Sequence, residues 1–355
     1  MPVVMIYFGT LMATRIGIVR LSSLGDIVLT GPAVRGLRRA CPDATLVFLT
    51  TIPYRDVANL LPEVDEVIAV ERRGDGFYKA CREIAAQHWD LAADLQGSRR
   101  SRTLTQAMHT SSVLRYTPPR LRRSIFLLTR VQIGRFEPVP LRYLRTLSPW
   151  GVKDEGDGLE LRQPEAPAAS LRTDYPWLRT EPMILVPGSK HATKQWPGSY
   201  WAELAARAAA ERPVAVVGLP GEMPPALKAE AERHDSVHDL TGRLSIPDLI
   251  ALLSRAGAVV SGDTGPMHLA VAVGAPLVAI FGPTVEQFGF FPFRAHSVQV
   301  LQQDLWCRPC TPHGSARCPL GHHRCMRDTT VEDVMRALQR VMKNADAEDQ
   351  DAGRE

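Results

Sequence analysis

Residues 261–284, SGDTGPMHLAVAVGAPLVAIFGPT, run from an apolar strand into Asp263-Thr264-Gly265-Pro266 and on into a helix. That junction predicts an anion site. Pro266 suits the first helical position, where a missing amide goes unnoticed, and Thr264 or Gly265 suits the cap. The free amides of the first turn then face any phosphate held at the helix start. The apolar run Ala275–Phe281 reads as the next parallel strand of a doubly wound sheet, whose ligands sit at the carboxyl ends of strands. The expected ligand is a nucleotide or a sugar phosphate.

A second strand, loop and helix of this kind occupies residues 15–41, RIGIVRLSSLGDIVLTGPAVRGLRRAC, with Ser22, Ser23, Gly25 and Asp26 in the connection. Strand-like runs (Arg15–Arg20, Leu46–Leu49, Val67–Val70, Leu91–Leu95) alternate with helical stretches in the first half. In the second half Ile184–Val186, Val214–Gly218, Ala258–Ser261 and Leu277–Phe281 do the same. Alternation predicts parallel sheets with helical crossovers. At 355 residues the chain exceeds what one core fills, and the loop-prone region Pro149–Pro182 is the natural divide. The expected organisation is an extension (1–14), a first Rossmann-like domain (15–150), a linker (151–180), a second such domain ending in a helix (181–343) and a disordered acidic tail (344–355).

Composition excludes several classes. No uncharged apolar run reaches the length of a membrane span. The first residues lack a basic region and a cleavage site, so no signal peptide is expected, and Met12 is a candidate start. The cysteines are not the even framework of a small secreted domain, which points to a reducing cytoplasm. Cys307, Cys310, Cys318 and Cys325 crowd together with histidines between them, and either a zinc site or a reduced buried cluster fits that spacing. The net charge of +4 is uneven, because residues 99–145 hold eleven arginines and one acid, Glu137. The segment is either a solvated surface or a site for an anionic partner. Nucleic acid is not expected, since interleaved aromatics and helix-turn-helix or zinc-finger patterns are missing from it. A dinucleotide oxidoreductase is disfavoured because no G-x-G-x-x-G follows the first strand.

Read residue by residue, several candidates have ordinary roles. Asp26 suits a helix-capping carboxylate, Lys190 and Lys194 solvated loop charges, Glu222 a surface loop acid, and His268 a structural imidazole. Trp196 is expected to pack beneath its loop.

Taken together, the two junctions with PGSKHATKQWP (187–197), GLPGE (218–222) and CRPCTPHGSARCPLGHHRCM (307–326) resemble glycosyltransferase family 9, the ADP-heptose:lipopolysaccharide heptosyltransferases. The last block is most similar to the heptosyltransferase II branch, and the resemblance spans roughly residues 15–340. It implies an α/β protein of GT-B architecture, two Rossmann-like doubly wound domains facing a central cleft. It also implies an inverting transferase that moves L-glycero-D-manno-heptose from ADP-heptose to the lipopolysaccharide inner core, without a metal or other cofactor. Asp26 is then the general base, and Lys194 binds the donor diphosphate and offsets its growing charge. Donor contacts fall to Ser189, Thr193, Glu222 (ribose), Leu244 (adenine side), Asp263 (sugar hydroxyls), Thr264, Gly265 and His268. Lys190 stands where the family has a second hydroxyl. Acceptor contacts are expected from Ser22, Ser23 and Gly25 and from Arg120, Arg122 and Arg123, at the cytoplasmic face of the inner membrane. A family member using another nucleotide sugar or acceptor, or a non-catalytic sugar-nucleotide-binding protein on the same fold, is the alternative.

Overall fold

The protein, seen as a computed structural model, is described for residues 13–352 apart from 111, 133, 135, 165–172 and 174. Most of the expected extension, the middle of the linker and the last three residues of the tail lie outside the described residues. The chain divides into two units: residues up to Pro119 with Glu137–Arg162, and Arg120–Phe136 with the rest from Gln163 onward.

In the first unit β1 (Arg15–Val19), β2 (Thr45–Thr51), β3 (Glu66–Val70), β4 (Leu91–Asp94) and β5 (Ser112–Arg115) form one sheet in the order β3-β2-β1-β4-β5. All pairs are parallel. Ile16, Ile18 and Val19 in β1 are fully buried on both faces, which is why the strand reads as an apolar run rather than an alternation. At Gly17 the Met108 side chain packs directly on the backbone, and a β-carbon there would displace its end. β1 lies where the strand order reverses, between β2 and β4. In an open parallel sheet the loops at such a reversal are the usual place for a ligand.

The second unit repeats the plan. β6 (Met183–Val186), β7 (Val214–Val216), β8 (Val237–Asp239), β9 (Ala258–Gly262), β10 (Leu277–Phe281) and β11 (Val298–Gln302) run in the order β11-β10-β9-β6-β7-β8, again parallel throughout. The reversal falls between β6 and β9. Helices Gly198–Ala209 and Val331–Ala352 cover one face through Trp201, Leu204, Val334 and Leu338, packed with Val214, Val260 and Ile280 in one cluster. Each such aliphatic side chain contributes about 2 kcal/mol by leaving water.

Three expectations change. Arg120–Phe136, expected in the first domain, packs with the second unit, whereas residues 151–162, expected in the linker, belong to the first. Arg162 donates its amide to the Leu60 carbonyl (2.7 Å) and Arg35 pairs with Glu160 (2.7 Å), which ties that stretch down. The final helix continues through Ala352, past the point where acidic composition predicts disorder. The alanines, Glu348 and Gln350 there are good helix formers, so low hydrophobicity does not oppose a helix. The edge strands β5, β8 and β11 were not expected; they are short and, apart from Val237 in β8, only half-buried or exposed, so the apolar run that marks a central strand is missing from them.

Candidate active site

The loop leaving β1 carries Arg20 to Ser23 into the helix Leu24–Val28, with Asp26 in its first turn. Asp26 Oδ2 accepts from the Ser23 amide (3.1 Å) and hydroxyl (2.8 Å), while Oδ1 meets Arg20 Nη2 at 2.8 Å. The capping role read from the spacing is therefore real, and a buried ion pair is added to it. Arg20 also donates to the Leu95 carbonyl (2.8 Å) and lies over the Tyr143 ring. Gln96 Oε1 accepts the Leu21 and Ser22 amides at 3.0 and 3.2 Å, so the loop after β4 clamps the loop after β1. Burial alone would raise the Asp26 pKa. The Arg20 charge and the Ser23 donors outweigh it and hold the carboxyl below the ordinary 3.8. Its side chain keeps 20% exposure. Gly25 is buried beneath it, Ser22 is half-buried and Ser23 exposed.

At the reversal of the second sheet, the loops after β6 and β9 bring Lys194 to Asp263. Lys194 Nζ is 2.6 Å from Asp263 Oδ2 and donates to the Asp263 carbonyl at 3.2 Å; the side chains are 13% and 9% exposed. Thr284, past the end of β10, donates its hydroxyl to the same Oδ2 at 2.7 Å. Thr264 caps the helix Gly265–Ala272, and Pro266 takes the second helical position rather than the first. His268 is buried inside that helix. Ser189 is half-buried on the loop after β6, with its Oγ accepting the His191 amide (3.4 Å), and Lys190 beside it is exposed. The His191 imidazole is pushed below its usual pKa by burial and by the cations Lys194 and Lys190.

Glu222 reaches the same loop from the far side. Its Oε2 accepts the Leu219 amide (2.8 Å), and its carboxylate lies so close over Gly188 that a β-carbon there would strike it. Pro187, Gln195, Trp196, Glu222, Met223 and Pro224 help to line a cavity of about 300 Å³. Leu244 is half-buried in the turn following β8. Trp196 packs beneath the loop as expected, 3% exposed and donating Nε1 to the Thr329 carbonyl at 2.8 Å.

Two expected site residues point elsewhere. Thr193 is 2% exposed; its hydroxyl donates to the Ser315 carbonyl (3.0 Å) and accepts the Ser315 amide (2.8 Å), so it anchors the cysteine-rich segment instead of facing a phosphate. Arg123 is buried under the second unit's aromatics, over the Phe288 and Phe290 rings and within 3.2 Å of the Phe288 carbonyl. Arg120 and Arg122 are exposed. In the cysteine segment, Cys307 Sγ lies 3.9 Å from His322 Nε2, and burial pushes the Cys325 thiol up to about 11. Among the described residues no group of three or more side chains is arranged to hold a metal ion.

Arg20, Gln96 and Thr284 carry no sequence signal, because each is an ordinary polar residue until the fold brings it to its partner. For Arg20 and Gln96 a strand-end position next to a reversal is a hint; Thr284, past the end of β10, lacks even that.

The model of glycosyltransferase family 9 (heptosyltransferase) matches residues 77–320. The chain belongs to glycosyltransferase family 9. It is 27% identical to lipopolysaccharide heptosyltransferase 1 of Pseudomonas aeruginosa, over 90% of this chain and 93% of that protein. Similarity to lipooligosaccharide heptosyltransferase 2 of Campylobacter jejuni is 30% but shorter, covering 45% of this chain and 51% of the relative. The solved structure of Escherichia coli ADP-heptose lipopolysaccharide heptosyltransferase II superposes with a TM-score of 0.74 at 21% identity, covering 94% of this chain and 100% of that one. This family 9 chain thus shares the α/β, GT-B-type fold of those heptosyltransferase structures.

Proposed function

We propose that the chain transfers L-glycero-D-manno-heptose from ADP-heptose to the lipopolysaccharide inner core with inversion at the anomeric carbon, and that it lies on the heptosyltransferase II branch. The observation that carries this reading is the buried Lys194–Asp263 pair at the strand-order reversal of the second sheet, beside the start of the Gly265–Ala272 helix. There the lysine and the free amides of the first turn offer positive charge to a diphosphate. Asp263 turns to the donor sugar's hydroxyls once the diphosphate takes up Lys194, with Ser189, Thr264, Gly265 and His268 around the phosphates and Leu244 on the adenine side. Glu222 accepts the ribose hydroxyls. In the reaction the acceptor oxygen bonds to the anomeric carbon as the bond from that carbon to the diphosphate breaks. Asp26 takes the hydroxyl proton, and ADP leaves with the electron pair. Ser22, Ser23 and Gly25 are proposed to contact the acceptor. The working place is the cytoplasmic face of the inner membrane, held by peripheral contact; no described helix is long and apolar enough to cross a membrane.

Turnover with ADP-heptose and a core-truncated acceptor, against other nucleotide sugars, tests the reading, and the anomeric configuration of the product tests inversion. Transfer from another sugar nucleotide in preference, or retention, would overturn it. Because Lys194 and the helix amides supply the positive charge, EDTA is expected to leave the initial rate unchanged. Loss of rate restored by magnesium would contradict that.

Gly188→Ala is expected to push Glu222 aside and raise the donor KM roughly tenfold while kcat changes less, since hydrogen bonds to the ribose are lost in both ground and transition states. An unchanged donor KM would remove Glu222 from the ribose.

A further inference from the structure

The Arg120–Thr129 helix has an outer line that nothing in its unit covers. Leu121 is 74% exposed and Leu128 86%, and the chain continues into Val131 at 59%. Leu121 and Leu128 are two turns apart, so they share one face, with half-buried Ile125 between them. The opposite face carries Arg123 and Phe126, both 8% exposed, against Phe288. At about 100° per residue, Arg120 and Arg122 fall on either flank of the leucine line. The helix is therefore clamped on one side and presents the other as an apolar ridge between two arginines.

A second element joins that ridge. Arg130, just past the helix, donates Nη2 to the Cys307 carbonyl at 3.2 Å and so fixes the neighbouring Trp306, 80% exposed, beside the helix end. Segment 120–136 contains five arginines and no acid, and Asp304 is the single acid of residues 301–326. An exposed tryptophan and leucines amid arginines match a surface that lies in a membrane interface. The apolar groups enter the headgroup boundary, the indole sits at headgroup level, and the guanidinium groups meet anionic lipid phosphates.

We infer that the crest formed by Leu121, Leu128, Val131 and Trp306, flanked by Arg120 and Arg122, is the surface that docks this chain on an anionic lipid bilayer. The inference deepens the peripheral contact proposed above by assigning it to the second unit. The charge of the segment points to the occupant: a bilayer with acidic headgroups complements both the exposed leucines and the cations that bracket them.

The test is co-sedimentation of the full chain with vesicles of phosphatidylglycerol and phosphatidylcholine, and with phosphatidylcholine alone. Wild type is expected to bind the acidic vesicles and to bind neutral ones at least about tenfold more weakly. Leu128→Ser/Trp306→Ser is expected to lose at least about tenfold in affinity for acidic vesicles while keeping the wild-type melting temperature, both side chains being exposed. Turnover on a deacylated, water-soluble acceptor should be unchanged in that variant, which separates failure of the docking surface from failure of the transfer reading. Wild type that binds neither vesicle, or a double variant that binds acidic vesicles as tightly as wild type, overturns the assignment. So does a wild-type dimer in sedimentation that the double variant turns into a monomer, since a second copy would then cover the crest.

Discussion

Asp26→Asn is expected to lower turnover at least about a hundredfold, with the affinity for ADP changed less than about twofold. Asparagine is the same size and still accepts from Ser23, so the helix start survives. It cannot take a proton from an attacking hydroxyl. The geometry also warns of a second effect, because Arg20 is 7% exposed and would lose its carboxylate partner. Removing one member of a buried pair costs about 3–5 kcal/mol, and thermal unfolding must be measured alongside the kinetics. Both roles depend on the ionised carboxylate, so melting temperature and ADP affinity, not the pH profile, separate them. Asp26 has a folded pKa below the ordinary 3.8, so its stabilising contribution is present above that value and fades as the pH falls through the folded pKa. The Asp26 carboxylate therefore stays ionised at neutral pH, and with Asp26 as the proposed base the acid limb of kcat/KM should lie below about pH 4. Equal losses in ADP affinity and turnover would leave Asp26 as a structural cap.

The sequence carried the two-sheet plan because parallel strands buried on both faces read as apolar runs, as in residues 16–19 and Leu277–Phe281. The edge strands Ser112–Arg115, Val237–Asp239 and Val298–Gln302 lacked that mark, since an edge is half-covered and tolerates polar residues. Local geometry made the caps legible, Asp26 in the first turn of its helix and Thr264 before its own, whereas Lys194 reads from the residues as a loop charge and gains a diphosphate role only through the family resemblance. Partnership was not legible. Asp26 with Arg20 is a contact across a turn, but Arg20 with Leu95, Asp263 with Thr284 and Thr193 with Ser315 join residues far apart in the chain. A hydroxyl in the right loop, such as Thr193, looks the same in sequence whether it faces a ligand or anchors a neighbouring segment. Likewise a run of arginines does not reveal which member turns inward, and Arg123 did so because Phe288 and Phe290 offered it ring faces.

Lys194→Ala is expected to weaken ADP binding roughly ten- to a hundredfold, the range for one lost charge-assisted hydrogen bond. It should also slow transfer at saturating donor by about a hundredfold, because the diphosphate gains charge as the glycosidic bond breaks. The structure adds a complication that a single variant cannot resolve. Lys194 is the ion-pair partner of Asp263 at 2.6 Å, and both are mostly buried. Alanine at 194 leaves that carboxylate with Thr284 alone, at a cost of about 3–5 kcal/mol for an uncompensated buried charge. The double variant Lys194→Ala/Asp263→Asn removes the stranded charge and should regain most of the melting temperature. If Lys194 acts on the diphosphate, ADP affinity should stay low in the double variant despite the recovered stability. Recovery of ADP affinity together with the melting temperature would mean that Lys194 serves to neutralise Asp263 and nothing more. Asp263→Asn alone frees the lysine, so ADP should bind at least as tightly as in wild type while transfer slows through loss of the sugar contact. That opposite movement of binding and rate is not produced by a merely structural pair.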